Sequence, residues 1–135
     1  MHPGSTGRLD DQGVIFAYDA DDGSPRWVRP EPPASDPPSL VLSNYPVEVD
    51  PVRGLVYAAT RQDEILNWTT SAYDVRTGQL IRSDLFDRPV GSEYFNQAID
   101  IHVDEQSGRV FIAGEFTEKV REVSHYVTTA YPPAR

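Results

Sequence analysis

The residues best suited to chemistry in this chain are one histidine and two carboxylates on predicted strands. Asp100 and His102 alternate in the run IDIHVD, which places both side chains on the same face of a β-strand. Glu48 holds the position equivalent to His102 in the earlier run VEVD. An imidazole beside carboxylates can bind a metal ion or transfer protons near neutral pH. Because no third ligand is visible with them, a structural polar pair is the favoured interpretation, and no metal site is predicted.

A second set of residues could bind a ligand without catalysing a reaction. Its members are aromatic or charged side chains in or beside two segments between predicted strands, RQDEILN and DLFDRPVGSEYFNQ. Aromatic rings next to charged and amide groups can recognise a sugar or a peptide. Packing against a neighbouring sheet is the competing role, above all for the pair YF in the second segment. The candidates are Arg61, Asp63, Glu64, Trp68, Arg88, Glu93, Tyr94 and Phe95.

Composition narrows the range of functions. The 135 residues include no cysteine, which excludes disulfides, thiolate metal sites and a cysteine nucleophile. Neither a G-x-S-x-G nucleophile motif nor a Gly-rich phosphate loop occurs. The formal net charge of −9 disfavours nucleic acid or an anionic membrane as a partner, because both need a positive surface. We therefore expect a protein that binds rather than catalyses.

Four copies of the pattern D-x-x-x-G lie between the predicted strands. An Asp side chain can accept hydrogen bonds from backbone amides ahead of it, and a final Gly tolerates the left-handed conformation that closes a hairpin. Each copy is therefore predicted to be a tight turn. The structural residues are Asp19 and Gly23, Asp50 and Gly54, Asp74 and Gly78, and Asp104 and Gly108. The first copy, DADDG, also resembles the start of a calcium loop, but the distal Glu of such a loop is missing.

The spacing of these turns indicates an internal repeat. Asp74 follows Asp19 by 55 residues, and Asp104 follows Asp50 by 54. A fixed period of this length is typical of a supersecondary unit in tandem copies. Because the flanking runs are rich in Val, Tyr and Thr, we predict an all-β fold of four-stranded antiparallel meanders. The strands are expected at 14–19, 25–29, 47–50, 55–60, 68–74, 79–83, 98–103, 109–114 and 124–131.

The repeated runs resemble a known class of repeat. SAYDVRTGQLI and FAYDADDGSPRW look like quinoprotein-like (PQQ-like) blades, and HVDEQSGRVFIAGEF followed by HYVTTAY is similar to the bacterial seven-bladed β-propeller (SBBP-type) repeat. The resemblance implies a β-propeller, in which four-stranded blades pack face to face around an axis. Three positions depart from the repeat pattern: Arg82 stands in place of a Trp, Thr60 of a Gly and Pro132 of an Asp.

On this interpretation the chain spans about two and a quarter blades of a partial propeller. We expect a flexible tail at 1–13, a half blade at 14–29, a complete blade at 47–83, a three-stranded blade at 98–131 and a second tail at 132–135. Because a closed propeller needs about four to eight blades, three outcomes stay open. The chain is a fragment of a longer protein, which is favoured, or it assembles into a ring, or it folds alone as a short open stack.

Function is expected at the end of the blades opposite the tight turns, where longer loops are predicted at 30–46, 61–67, 84–97 and 115–123. The resemblance implies that propellers generally bind ligands at this end. We expect a noncatalytic binding or scaffolding module that contacts a protein or a carbohydrate. Its other neighbours would be the remaining blades or further copies of the chain.

A quinone-dependent dehydrogenase fragment is the alternative from a different class. Its cofactors would be calcium and pyrroloquinoline quinone, held near the axis of the propeller. The first strand of each blade runs nearest that axis, which would put Glu48, Asp100 and His102 on the channel side. The N-terminal run MHPGSTGRLDDQG does not read as a signal peptide, and no segment is apolar for long enough to span a membrane. The compartment stays open, and a secreted or cell-surface parent protein is one expectation.

Overall fold

A computed structural model describes residues 14–29, 46–62, 67–86, 96–118 and 123–135. These residues form nine strands and no helix, so none of them belongs to a helix that could cross a membrane. The all-β fold is confirmed. The strands are β1 (Ile15–Tyr18), β2 (Pro25–Arg29), β3 (Val47–Asp50), β4 (Leu55–Gln62), β5 (Asn67–Asp74), β6 (Leu80–Leu85), β7 (Asn96–Val103), β8 (Val110–Glu118) and β9 (Val123–Tyr131).

The strands form three antiparallel sheets that follow the order of the chain. Strands β1 and β2 form sheet 1, β3 to β6 form sheet 2, and β7 to β9 form sheet 3. Within each sheet every strand pairs with the next one along the chain. Sheet 2 is therefore the four-stranded meander that the repeat predicted, and the two sheets beside it contain two and three strands of the described residues.

Two hairpins of the structure are longer than the sequence predicted. The expected loop 61–67 is shorter, because β4 continues to Gln62, which pairs with Asn67 at the start of β5. The expected loop 115–123 shrinks in the same way, since Glu118 at the end of β8 pairs with Val123. Charged residues suggested that the strands ended earlier. Backbone pairing continues through them because the ladder is formed by N–H and C=O groups and does not require apolar side chains.

The core lies between sheets 2 and 3. Strand β7 packs against β3, β4 and β5 of the neighbouring sheet. The ring of Trp68 stacks on that of Phe86, with centroids 3.9 Å apart and an interplanar angle of 11°. A Cβ atom added to Gly114 would lie 2.8 Å from Cη2 of Trp68, so the glycine lets the sheets approach. The buried cluster consists of Leu55, Tyr57, Ala59, Trp68, Ala72, Phe86, Ala98, Ile101, Val103, Val110 and Ile112.

Sheet 1 contacts the opposite face of sheet 2 through one tryptophan. Trp27 lies near Tyr73, with ring centroids 6.3 Å apart, and its Nε1 donates a hydrogen bond of 3.0 Å to the carbonyl oxygen of Val75. Val56 and Ala58 are buried on this second face of sheet 2. Sheet 2 therefore lies between the other two sheets, and β4 is buried on both of its faces, as for a strand in the middle of a stack.

The glycine that closes the β5–β6 turn should tolerate substitution less well than its equivalent in the β1–β2 turn. Gly78 and Gly23 both have a φ of +74°, but a Cβ on Gly78 would lie 2.7 Å from Trp27 Cδ2, whereas Gly23 has no atom within 4 Å of that position. We expect Gly23→Ala to lower the free energy of unfolding by about 1–2 kcal/mol, because it adds backbone strain alone. Gly78→Ala should cost about 2–5 kcal/mol, because it also displaces Trp27.

Urea denaturation followed by far-UV circular dichroism measures both losses. Gly23→Ala is the matched control, since it carries the same backbone strain without the steric clash. Equal losses for the two variants would contradict the contact between sheet 1 and the β5–β6 turn.

Candidate functional site

The four predicted turns have the hydrogen bonds that the pattern D-x-x-x-G requires. In the β5–β6 turn, Asp74 Oδ1 accepts from the backbone amides of Arg76 at 2.9 Å and Thr77 at 3.0 Å. The amide of Gly78 donates to the carbonyl oxygen of Asp74 at 2.8 Å. Asp19, Asp50 and Asp104 accept equivalent bonds in their own turns. All four closing glycines have a positive φ, the left-handed conformation that closes such a turn.

Hydrogen bonds join the turns of sheets 2 and 3. The amide of Val75 in the β5–β6 turn donates to the carbonyl oxygen of Gly54 in the β3–β4 turn at 2.9 Å. Arg53 Nη1 donates to the carbonyl oxygen of Glu105 in the β7–β8 turn at 3.0 Å. The tight turns of both sheets therefore lie at one end of the stack, which we call the turn end.

The C-terminal residues 132–135 also reach the turn end, a contact that the sequence did not indicate. The amide of Ala134 donates to the hydroxyl of Tyr57 at 3.1 Å, and Arg82 Nη1 donates to the carbonyl oxygen of Pro133 at 3.1 Å. Arg135 pairs with Asp74 at 2.9 Å through Nη2 and donates to the carbonyl oxygen of Arg53 through Nη1. This segment, which follows sheet 3, thus ties that sheet to sheet 2.

Hydrogen bonds and ion pairs lower the pKa of three turn carboxyl groups, those of Asp19, Asp74 and Asp104. Arg135 and then the amides of Arg76 and Thr77 lower the pKa of Asp74 to about 2. Arg26 lowers the pKa of Asp19, and Ser107 lowers that of Asp104. In DADDG, the sequence considered as a calcium loop, Asp19 Oδ1 accepts from the amide of Asp21 and Oδ2 pairs with Arg26. Protein donors therefore engage both oxygens of this carboxylate.

The three predicted channel-side residues lie on two different faces. Asp100 and His102 share one face of β7 and are exposed, on the side of sheet 3 that points away from sheet 2. Glu48 is directly opposite Tyr57 in the ladder, on the half-buried side of sheet 2 that faces sheet 3. The structure therefore places Asp100 and His102 on the same face and separates both from Glu48. Among the described residues, no group of three or more His, Cys, Asp or Glu side chains is placed to hold a metal ion.

The predicted binding face falls largely outside the described residues. Asp63, Glu64, Arg88, Glu93, Tyr94 and Phe95 lie there, and only the backbone of Arg61 is described, in β4 opposite Trp68. Trp68 itself is 1% exposed and belongs to the core between sheets 2 and 3. Its indole supports the end of the β4–β5 hairpin from inside the sheet stack. The binding role of the other residues stays a prediction.

A polar cluster interrupts the contact between sheets 2 and 3 near their last strands. Burial raises the pKa of the Tyr131 hydroxyl, while the hydroxyls of Thr129 and Thr70 act in the opposite direction. Arg82 Nε and Asp84 Oδ2 form an ion pair of 2.7 Å, and their charges also act on Tyr131. Because the cluster is partly exposed, it adds polar contacts to the edge of the core rather than an enclosed reaction site.

The outer faces of the stack expose aromatic residues that the sequence analysis did not select. Phe111 and Tyr126 lie on the face of sheet 3 that points away from sheet 2, and Phe16 and Tyr18 lie on the corresponding face of sheet 1. Alternation along β1, β8 and β9 could have identified them, since each sits between residues that point to the opposite face. Exposed aromatic rings on a sheet face can contribute to an interaction surface.

No protein-family model matches this sequence, and no curated protein matches it significantly. The geometry of the described residues therefore carries the functional argument. It defines an all-β stack with a turn end whose carboxylates are occupied by protein donors, and with two outer faces that carry exposed aromatic side chains.

Asp74 should show a pH-dependent contribution to stability that depends on Arg135. Its pKa in the folded protein, about 2, is below the ordinary value of 3.8. The stabilising contribution of the charged carboxylate is therefore complete above about pH 4 and disappears as the pH falls towards 2. We expect Arg135→Ala to return the pKa of Asp74 towards its ordinary value, and Asp74→Asn to remove this part of the acid sensitivity.

NMR titration of the Asp74 side-chain carboxyl carbon measures this pKa directly in both proteins. Arg76→Ala is the control, because the Arg76 side chain is exposed and only its backbone amide contacts Asp74. An unchanged Asp74 pKa in Arg135→Ala would show that the C-terminal ion pair does not form in solution.

Proposed function

We propose that this chain is a noncatalytic segment of a β-propeller that serves as a binding or scaffolding module. The observation that carries the proposal is the face-to-face packing of successive antiparallel sheets, each followed by the next at a period of 54 or 55 residues. Blades of a propeller pack in this way and in this chain order. The common turn end supports the same arrangement, because it orients the sheets in one direction.

The end of the stack opposite the turns is the proposed contact surface. Strand β4 begins at Leu55, next to the β3–β4 turn, and ends at Gln62, at the opposite end of the sheet. Strand β5 begins at that opposite end, where Asn67 pairs with Gln62. The segments 61–67 and 84–97 start and finish there. Loops on a rigid scaffold are the usual carriers of binding residues. The aromatic and charged composition of these segments fits a protein or carbohydrate partner.

Scaffolding or binding also agrees with the chemistry of the described side chains. The turn carboxylates are engaged by Arg and by backbone amides, and the polar cluster around Tyr131 is an edge of the core. Asp100 and His102 lie together on an open sheet face. A quinone-dependent dehydrogenase would need a cofactor site with a bound calcium ion and a stacking ring, and Trp68 is already stacked on Phe86.

A carbohydrate microarray and a peptide array, probed with the purified chain, test the location of binding. We expect Tyr94→Ala and Arg88→Ala to weaken any saturable binding about tenfold or more, because truncating an aromatic or Arg side chain at a contact surface costs at least ~1.4 kcal/mol. Arg76→Ala at the turn end is the matched control and should leave binding unchanged. Loss of binding in Arg76→Ala alone would contradict the proposal, because it would place the contact surface at the turn end.

Titration with pyrroloquinoline quinone and calcium chloride separates the binding module from the enzyme class. We expect neither a change in the quinone absorbance spectrum nor a shift in the thermal unfolding midpoint. The physical reason is that the residues expected on the channel side do not converge, because Asp100 and His102 lie on a different face from Glu48. A saturable spectral change that requires both quinone and calcium would overturn the noncatalytic assignment.

A further inference from the structure

The outer face of sheet 3 resembles the face of sheet 2 that sheet 3 covers. In the β4–β5 ladder, Tyr57 is opposite Ala72 and Ala59 is opposite Thr70. In the β8–β9 ladder the equivalent pairs are Phe111 with Ala130 and Ala113 with Thr128. Trp68, opposite residue 61, corresponds to Tyr126, opposite Glu115. Of these six equivalent positions, three hold the same residue type, two conserve an aromatic ring, and one has Glu115 where the earlier repeat has an arginine.

The two equivalent faces differ most in what covers them. Tyr57 and Trp68 are each 1% exposed, because sheet 3 packs on them. Phe111 is 37% exposed and Tyr126 is 84% exposed. An aromatic ring that is almost fully solvated, on a pattern that is core in the neighbouring sheet, indicates a docking face for another sheet.

The same chain also carries a surface that matches this docking face. Sheet 3 turns Val127, Thr129 and Tyr131 towards sheet 2, where Val127 and Tyr131 pack against the core cluster. The runs VTTAY at 127–131 and VIFAY at 14–18 align, so Val14, Phe16 and Tyr18 are the equivalents of those three residues.

The equivalent residues of sheet 1 are exposed. Phe16 is 57% exposed and Tyr18 is 59% exposed, and their rings stack with centroids 6.4 Å apart. They point away from sheet 2, because their neighbour Ala17 is opposite Trp27, which contacts sheet 2. Among the described residues, sheet 1 therefore presents a covering surface on one side of the stack, and sheet 3 presents an uncovered surface on the other.

We propose that a second copy of this chain docks head to tail, with the outer face of its sheet 1 packed on the outer face of sheet 3. Tyr18 of the second copy would lie over Phe111 and Ala130, as Tyr131 lies over the cluster of sheet 2. The interface is heterologous, since two different faces of the same chain meet. This inference rests on the packing between sheets 2 and 3 and is independent of the ligand that the loops bind.

Electrostatics make the association dependent on salt. Each copy carries a formal net charge of −9, so two copies repel one another at low ionic strength. At about 0.5 M salt the screening length falls to a few ångströms, while the apolar contact is retained. Association should therefore become tighter as sodium chloride is added, which is opposite to the behaviour of an interface held by ion pairs.

Sedimentation velocity of the whole chain, from low micromolar to several hundred micromolar protein, tests the proposal with two variants. Tyr126→Glu removes the uncovered face and Tyr18→Glu removes the covering face, and both residues are exposed, so thermal unfolding midpoints should stay close to that of the wild type. We expect the wild type to associate with concentration and each variant alone to remain monomeric. An equimolar mixture of the two variants should form dimers and nothing larger, because one intact face remains on each.

Val52→Glu is the matched control, since Val52 is an exposed apolar residue in the β3–β4 turn and not on a sheet face. It should associate as the wild type does. A wild type that stays monomeric at every concentration overturns the proposal. So does loss of association in Tyr126→Glu but not in Tyr18→Glu, which would indicate two identical faces meeting, and so does a mixture that remains monomeric.

Discussion

The apolar contact between sheets 2 and 3 is the interaction on which the rest of the structure depends. No helix among the described residues covers a sheet, so the sheets must bury their apolar faces against one another. Trp68 stacks on Phe86 and lies against Gly114, where a side chain would collide with the ring. Removal of this contact would expose Tyr57 and Trp68 to water. Tyr126, on the far side of sheet 3, is already exposed in this way.

The two ends of the stack have different physical characters. At the turn end, backbone amides and arginines occupy the carboxylates, and the bonds of Arg53 and Arg135 pass from one sheet to the next or from the C-terminal segment to sheet 2. These bonds align the sheets and engage the turn aspartates within the protein. The opposite end carries the connecting segments, and the outer faces carry exposed rings, so contacts with other molecules are expected there.

Much of the fold could be predicted because its determinants are local. Asp74 and Gly78 specify their turn through hydrogen bonds within five residues and through a backbone conformation that glycine accepts. The strand positions follow from the repeat. The ends of the longer hairpins could not be predicted in this way, because pairing between Glu118 and Val123 depends on the partner strand and not on side-chain polarity.

The candidate site was less predictable from sequence, because it depends on distant parts of the chain. Trp68 was assigned to a binding face from its neighbours in sequence, whereas the structure places it in the core. Arg135 contacts Asp74 from 61 residues away, and no local pattern indicates that pair. Glu48 and His102 occupy equivalent positions in the repeat, yet one faces the neighbouring sheet and the other faces outwards.

The sequence by itself determined the all-β class, the four turns and the period that relates the sheets, since each depends on residues close together in the chain. Only the tertiary structure decided which copy of a repeated pattern is core and which is surface. Trp68 and Tyr126 share strand position and register, but sheet 3 covers the first and leaves the second exposed. A side chain on a sheet face is buried only where another sheet packs over it. The local sequence does not determine whether such a sheet is present, because that depends on packing between distant parts of the chain.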